Sequence, residues 1–282
     1  MRPAGTTQGQ SIDSRQVDGL SSQFQRRWES VYHWRSMCSM LLGTPGLRAA
    51  WPMSSVGFAQ PECYDISGQG NHLAAAVALG NVTFGRDPGG IAPVATLGGA
   101  ANQYLYRVDV GVANWADIAI AGGDLQILAT QRGLTLGGWF QASLALAGQY
   151  LFAKDDDGGN RQYALSVNPA PGNTAAFAVW AGAITATSAA AIVAGWNHIV
   201  GTYDQTSQTV FVTLNGVTTS GAAGAAPAAL DDTDAPVTIG ADGAGGTLTT
   251  GYASDCFLCA AALSHSSVKA MFHYTKAAYG VK

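Results

Sequence analysis

From residue 47 onward, short segments alternating between apolar and polar residues follow one another at close intervals, separated by glycine, aspartate and asparagine. WNHIVGTYD at 196–204 and VFVTLNGV at 210–217 show the pattern most clearly. A two-residue period is typical of half-buried strands. The dipeptide Asn215-Gly216 predicts a type I′ hairpin turn, and DDDGGN at 155–160 predicts another turn. About twelve such segments at this spacing predict an all-β sandwich.

The composition agrees with strands joined by tight turns. The chain has 36 glycines and only 11% charged residues, too few for the wet faces of a helical bundle. Of its 18 acidic residues, only Glu29 and Glu62 are glutamates, and aspartate favours turns over helix interiors. The formal net charge of the whole chain is −4. Because the arginines concentrate in residues 1–50, the rest of the chain is strongly acidic. Such a surface argues against a nucleic-acid partner.

The N-terminal region differs from this pattern. Residues 1–20 are predicted to form a polar arm, and residues 22–42 an amphipathic helix that ends before Gly43 and Pro45. The helix either packs on the sandwich or docks onto a partner or a second copy. The sequence therefore predicts an attachment and oligomerisation segment at 1–45 and a sandwich domain at 46–282. The residues expected at the partner interface are Phe24, Trp28, Val31 and Leu41.

A short C-terminal helix is predicted in SSVKAMFHYTKAAY, whose apolar residues would cover a sheet edge or an end of the core. No stretch of 18 apolar residues occurs, so no membrane segment is expected, and the first twenty residues lack the apolar region of a secretion signal. Cys256 and Cys259 lie in an apolar run that reads as a strand, where positions three apart face opposite sides. We expect these thiols to be buried rather than to bind zinc.

The stretch YDISGQGNHL at 64–73 could suggest a phosphate-binding loop. Leu73 stands where a dinucleotide-binding motif needs its third glycine, and no strand–helix–strand context surrounds it. We therefore predict a turn after the first strand. Gly68 and Gly70 would supply positive φ, and Asp65 would accept a hydrogen bond from the backbone two residues on.

Two motifs in this order, D-x-S-G-x-G-N-H and then W-x-H-[IV]-x-G-x-Y-D, resemble the laminin-G-like jelly-roll branch of the concanavalin A-like lectin/glucanase superfamily. The resemblance covers roughly residues 47–280. It implies two antiparallel sheets packed face to face, with Trp139, Trp196, Val200 and Phe211 between them. His198 shares a strand face with Val200, and we expect a half-buried sheet histidine there rather than a catalytic one.

Hydrolase chemistry is not expected. Glycosidases need two suitably spaced carboxylates, and enzymes on this fold carry paired glutamates on a strand. This chain has no glutamate after Glu62. Calcium is the one cofactor that the sequence suggests, since some laminin-G-like domains bind it at a rim; the alternative is a solvated acidic turn. The candidate calcium ligands are Asp155, Asp157, Asn160 and the distant Asp255, with Asp65 as a weaker candidate.

Glycan binding fits the resemblance better, because lectin-type sites stack a sugar on an aromatic ring and fix its hydroxyls with polar groups. Near the DDDGGN and NPAPGN turns, the candidate ligand-binding residues are Tyr150, Asp156, Tyr163 and Trp180. For each aromatic residue, packing in the core is the alternative role.

Laminin-G-like sandwiches usually work outside cells, yet no secretion signal or disulfide framework is visible. A virion protein made in the host cytoplasm satisfies both facts, and similar jelly rolls are encoded by tailed bacteriophages. The sequence thus predicts a non-enzymatic virion structural protein, decorating the particle or associated with its tail. It would be homo-oligomeric, bind other virion proteins through its N-terminal arm and helix, and display a sandwich for a host-surface glycan. The alternatives are a free carbohydrate-binding module or a glycoside hydrolase.

Overall fold

The computed structural model of the chain describes residues 42–44, 46–53, 62–63, 65–75, 82–86, 93–98, 104–107, 133–145, 148–155, 159, 161–168, 172–180, 184–228, 230, 235–243 and 248–282. The predicted arm and the four interface residues of the predicted N-terminal helix lie outside these ranges. The attachment role of 1–45 therefore stays a prediction.

Short strands make up most of the described residues, as the alternation predicts. In chain order they are β1 (Leu47–Trp51), β2 (Glu62–Cys63), β3 (Leu73–Ala75), β4 (Thr83–Arg86), β5 (Pro93–Gly98), β6 (Leu105–Arg107), β7 (Gly133–Ala142), β8 (Gln149–Asp155), β9 (Arg161–Val167), β10 (Thr174–Val179), β11 (Ile184–Ala191), β12 (Asn197–Asp204), β13 (Thr209–Leu214), β14 (Val217–Ser220), β15 (Val237–Ile239) and β16 (Thr250–Cys259). Helix α1 (His265–Thr275) and a 3₁₀ turn (Lys276–Tyr279) follow.

The strands form two antiparallel sheets, which confirms the predicted sandwich with its short C-terminal helix. Sheet 1 has the order β14-β13-β12-β7-β16-β5-β4. Along the same edge of β16, β5 pairs with its first half, Thr250–Ala253, and β1 with its second half, Cys256–Cys259. Sheet 2 has the order β11-β10-β9-β8-β15-β6-β3-β2. Among the described residues, no helix is long and apolar enough to cross a membrane.

Turn chemistry sets several of the strand pairings. Asn215 and Gly216 have φ angles of 49° and 79°, as a type I′ turn requires, and they join β13 to β14 with Leu214 opposite Val217. Strands β8 and β9 pair antiparallel across the DDDGGN turn. Both hairpins were predicted from these residues.

The main core lies between the two sheets. Leu136, Phe140 and Tyr203 of sheet 1 belong to the same buried cluster as Phe152 and Phe177 of sheet 2. All five side chains are at most 1% exposed, and burial of each such side chain stabilises the fold by about 2 kcal/mol. The two sheets pack tightly at Gly201, where a Cβ atom would lie 2.3 Å from the Phe177 ring.

A second apolar layer covers the outer face of sheet 1, and it corrects the expectation for four residues. Trp139 and Trp196 cluster with Phe272 of α1 and with Tyr279, while Val200 clusters with other α1 residues. Phe211 contacts His265 of α1, with ring centroids 4.5 Å apart. All four were expected between the sheets. Alternation correctly groups residues on one strand face but does not say which face meets the other sheet, because here both faces are apolar.

The C-terminal segment is held on this face by specific contacts. Ser264 caps α1 by accepting a hydrogen bond from the Ser267 N–H at 3.1 Å, and Val268, Met271 and Phe272 are buried. The predicted helix thus covers a sheet face rather than an edge or an end of the core. Beyond it, the Tyr279 ring stacks on Trp139 at 4.2 Å.

His198 lies beneath α1, with its ring centroid 5.2 Å from that of Trp139, and only 3% of the residue is exposed. Its Nδ1 is buried without a hydrogen-bond partner among the described residues. Burial lowers the pKa of His198 from 6.5 to about 3, because no compensating charge stabilises the imidazolium. The histidine is thus fully buried, rather than half-buried as expected, and it is neutral at ordinary pH.

This depressed pKa predicts acid sensitivity. Between pH 6.5 and about 3 the unfolded state binds more protons at His198 than the folded state, so stability is lost as pH falls below 6.5. The loss is about 1.4 kcal/mol per pH unit, or about 2 kcal/mol at pH 5. Urea unfolding at pH 7 and pH 5 should show a smaller drop for His198→Leu than for the natural chain. His265→Leu, at an exposed histidine, should leave the drop unchanged; equal drops in all three proteins would refute the assignment.

Strands β11 and β14 consist largely of alanine, threonine and serine. The eight residues ITATSAAA of β11 contain alanine, threonine and serine almost exclusively, which gives little hydrophobic contrast. Pairing with β10 nevertheless orders the segment. The two cysteines of β16 follow their prediction: Cys256 belongs to the core between the sheets and Cys259 to the layer under α1, and both are buried free thiols.

Candidate functional site

The β8–β9 patch, defined here as Tyr150, Asp155, Arg161 and Trp180, brings together two of the predicted ligand residues and one predicted metal ligand. Arg161 Nε lies 3.3 Å from Asp155 Oδ1, and the Asp155 side chain is fully buried while that of Arg161 is 30% exposed. The guanidinium carbon lies 5.7 Å from the centroid of the Trp180 ring, within the range of a cation–π contact. Tyr150 and Trp180 are both half-buried.

The charges of the patch act on Tyr150. Burial raises the pKa of its phenol, and the negative charge of Asp155, to which it is hydrogen-bonded, raises it further. The phenol is therefore a hydrogen-bond donor throughout the physiological pH range. Around a rigid Arg–Asp pair, the patch presents one phenol and one indole to the surface.

Tyr163 does not belong to this patch. It pairs with Val179 of β10, is fully buried, and lies in the core between the sheets. Its position corrects its assignment to a ligand site, because it shares a strand face with Leu165 and Val167, whose apolar side chains also enter the core. Val179 also faces the core, so Trp180, the next residue, turns to the outside.

Asp65 is a turn residue rather than a calcium ligand. Its Oδ1 accepts hydrogen bonds from the N–H groups of Ala50 at 2.9 Å and Ser67 at 2.8 Å. Its Oδ2 accepts from the Asn71 N–H at 2.9 Å and the Ser67 hydroxyl at 2.7 Å. With four donors in place, the carboxylate has no lone pair left for a cation. The predicted bond to the backbone two residues on is the Ser67 contact, and Gly68 and Gly70 have the predicted positive φ, 84° and 75°.

The remaining calcium candidates do not come together among the described residues. Asp255 occupies a bulge of β16 with a φ of 48°, and its Oδ2 accepts a hydrogen bond from the Tyr279 hydroxyl. Asp155 is engaged with Arg161 on sheet 2. Asp156, Asp157 and Asn160 lie outside the described residues. Within the described part of the chain, no three His, Cys, Asp or Glu residues are placed to share a metal ion.

A separate cleft of about 420 Å³ opens between sheet 1 and the start of α1. Thr202 and Asp204 of β12 and Phe211 of β13 line one side, and Ser264, His265 and Ser266 line the other. The sequence did not predict this cleft, because its residues come from segments that lie far apart in the chain, Thr202–Phe211 and Ala262–Ser266, and share no motif. Arg161 was also missed, although its place directly after the DDDGGN turn was a usable signal.

The fold agrees with the comparison to known families. The Laminin_G_3 family model, of the concanavalin A-like lectin/glucanases superfamily, matches residues 115–269, which is more than half of the chain. The chain belongs to the concanavalin A-like lectin/glucanases superfamily. The resemblance inferred from the two sequence motifs is thus confirmed at the level of the superfamily, and the sandwich is of the lectin-like, carbohydrate-binding type. No curated protein shows significant sequence similarity to the chain.

Solved structures of similar fold include two toxin binding domains. One is the binding domain of Paraclostridial Mosquitocidal Protein 1, at 14% identity and a TM-score of 0.57. The other is the ligand-binding domain of botulinum neurotoxin serotype D in complex with N-acetylneuraminic acid, at 8% identity and a TM-score of 0.59. These alignments cover 80% and 84% of this chain but only 52% of each toxin domain. The chain thus spans about half the length of these relatives.

A third similar structure is closer in size. Domain 4 of AbnA, a GH43 extracellular arabinanase from Geobacillus stearothermophilus, was solved in complex with arabinotriose. It aligns at 15% identity and a TM-score of 0.50, over 80% of this chain and 97% of that domain. At these identities the three likenesses show the fold alone.

Proposed function

We propose that this chain is a non-enzymatic virion structural protein whose sandwich binds a glycan through the β8–β9 patch. The observation that carries the glycan-binding part is the pairing of two partly exposed aromatic side chains, Tyr150 and Trp180, with a fixed Arg161–Asp155 ion pair. Apolar surface beside a few well-placed polar groups is the usual chemistry of a small-molecule site.

The patch is organised before any ligand binds. Arg161 is held by the buried carboxylate of Asp155 and lies over the Trp180 ring. These contacts restrict the rotamers of Arg161 and Trp180 in the free protein. A pre-ordered site avoids part of the entropy cost of binding. The Arg161 guanidinium would then donate a hydrogen bond to a sugar oxygen, and the Tyr150 phenol oxygen, whose proton points to Asp155, would accept one from a sugar hydroxyl. The indole would pack against the C–H surface of the sugar ring.

Binding without hydrolysis is supported by the distribution of acidic residues. A glycosidase needs an acid and a base or nucleophile on either side of the bond. In this patch the one carboxylate, Asp155, is fully buried and ion-paired, which suits a structural role and not proton transfer. The virion assignment is supported by the sequence alone: an arginine-containing arm and a predicted aromatic helix precede a lectin-like domain.

A free carbohydrate-binding module is the second candidate. It is favoured by the similarity in fold and size to domain 4 of the arabinanase, of which the alignment covers 97%. In that case the domain would bind glycans without joining a particle, so the two candidates share the patch and differ in the N-terminal region.

Trp180→Ala is expected to weaken glycan binding by about tenfold or more, because a partly exposed aromatic residue at the centre of a site carries much of the binding energy. Binding should be measured for the full chain on an array of neutral and sialylated glycans, with calcium and with a chelator. Tyr274→Ala is the matched control, since Tyr274 is 69% exposed on α1 and lies outside the patch. An array without any bound glycan, or equal binding by the two variants, would contradict the assignment of the patch.

Removal of residues 1–45 is expected to abolish incorporation into particles while leaving glycan binding intact, because the predicted attachment segment precedes the sandwich. Particles assembled with natural and shortened chains can be compared by quantitative gel analysis. If the shortened chain were incorporated equally well, the attachment role of this segment would be excluded.

A further inference from the structure

The cleft between sheet 1 and α1 has its own chemistry, distinct from that of the β8–β9 patch. Phe211 is only half-buried, and its ring meets the His265 ring edge to face, with centroids 4.5 Å apart at an angle of 65°. This pair gives the cleft a rigid apolar wall. The volume of about 420 Å³ lies within the usual range for small-molecule sites, about 300–1,000 Å³.

Polar groups converge on the same space from both sides. Asp204 is fixed in its own turn, where its Oδ1 accepts from the Thr206 N–H at 2.8 Å and its Oδ2 from the Ser207 hydroxyl at 2.7 Å. Each oxygen retains a lone pair that can accept from a ligand hydroxyl. On the other side, the hydroxyls of Ser264 and Ser266 lie 2.9 Å apart. The cleft therefore offers acceptors, donors and an apolar ring within one small volume.

The charge of the cleft selects between classes of ligand. Its described lining contains one carboxylate, Asp204, and no lysine or arginine. An anionic ligand would be repelled by Asp204 and would find no fixed cation to pair with. A neutral ligand rich in hydroxyl groups, with an apolar face of C–H groups, satisfies both the carboxylate and the aromatic wall.

We propose that this cleft is a second saccharide site, which takes a neutral pyranose. The inference rests on the proposed glycan-binding function for the class of ligand, but on different residues for the site. Thr202 shares a strand face with Val200, which packs under α1, whereas Trp180 turns away from the core on sheet 2. The two sites thus lie on opposite outer faces of the sandwich and would bind separate glycan chains.

The experiment fills the cleft without disturbing the core. Ser266→Trp places a bulky side chain at an exposed residue of the cleft wall, and Lys269→Trp places the same side chain at an exposed residue of α1 that does not line the cleft. Asp204→Asn tests the carboxylate with little change in volume. The probes are the methyl pyranosides of glucose, galactose, mannose and N-acetylglucosamine. Their binding to the full chain is measured by ligand-observed NMR and titration calorimetry, with retained folding checked by circular dichroism.

At least one pyranoside is expected to bind the natural chain, the Lys269→Trp variant and the Trp180→Ala variant alike. Ser266→Trp and Asp204→Asn should each weaken that binding by about tenfold or more. The cleft proposal is overturned if no pyranoside binds, or if binding survives in Ser266→Trp. Glycan binding that Trp180→Ala abolishes and Ser266→Trp leaves intact would uphold the proposed function and reject the second site. The reverse result would reject the patch and uphold the cleft.

Discussion

Gly201→Ala is expected to lower the free energy of unfolding by about 3 kcal/mol or more, or to prevent folding altogether. Gly201 lies in β12 and faces the opposite sheet, where a Cβ atom would lie 2.3 Å from two carbon atoms of the Phe177 ring. Phe177 is fully buried in the main core, so its ring cannot move aside without displacing its neighbours. Urea unfolding followed by circular dichroism measures the change.

Gly172→Ala is the matched control for this prediction. Gly172 is exposed, and among the described residues the nearest atoms to an added Cβ would belong to Thr174, at 3.9 Å. The same chemical change should therefore be neutral or slightly stabilising there, because alanine reduces the freedom of the unfolded chain. A smaller side chain at position 177 should partly rescue Gly201→Ala. The loss of unfolding free energy in Gly201→Ala combined with Phe177→Leu should be smaller than the sum of the losses in the two single variants. Similar stabilities for Gly201→Ala and Gly172→Ala would show that the sheets do not meet at this position.

The close approach at Gly201 also explains where sequence reasoning succeeded and where it failed on the fold. The alternation in WNHIVGTYD places His198, Val200 and Thr202 on one face of β12, and the structure keeps them together. Glycine at 201 carries no hydrophobic signal, so the alternation does not identify its face. It is the inner face, where Ile199 and Tyr203 enter the core and the glycine admits Phe177. Which face of β12 is the outer one depends on the packing of α1 against it, and that tertiary contact cannot be read from the sequence of the strand.

For the functional sites, the sequence located the region but not the arrangement. The DDDGGN turn drew attention to Tyr150, Tyr163 and Trp180, of which the structure leaves Tyr150 and Trp180 partly exposed and buries Tyr163. The face on which each side chain lies separates these outcomes, and one bulge in β8 and another in β9 make that face hard to predict from alternation. The cleft lies between the end of β12 and the start of α1, and no local sequence pattern predicts that these two segments are neighbours.

Asp65→Ala is expected to lower the free energy of unfolding by about 3–4 kcal/mol, because it removes the acceptor of four hydrogen bonds. Two of the donors, the N–H groups of Ala50 and Asn71, belong to buried residues, and they would be left without a partner. The damage should spread to the first strand. The Asn71 carbonyl accepts from Trp51 Nε1 at 2.7 Å, and the Asn71 amide donates to the Arg48 carbonyl at 2.7 Å.

Two further variants make this prediction specific. Asp204→Ala removes an aspartate of the same local geometry, whose donors Thr206 and Ser207 are exposed, so water can replace the lost bonds and the cost should stay below about 1 kcal/mol. Asp65→Asn keeps one acceptor oxygen and should lie between the natural chain and Asp65→Ala. The order of stabilities should be the same in calcium and in a chelator, because the four donors that hold Asp65 are all protein groups. A destabilisation of Asp65→Ala that appears only when calcium is present would return Asp65 to the metal ligands and overturn its role in the turn.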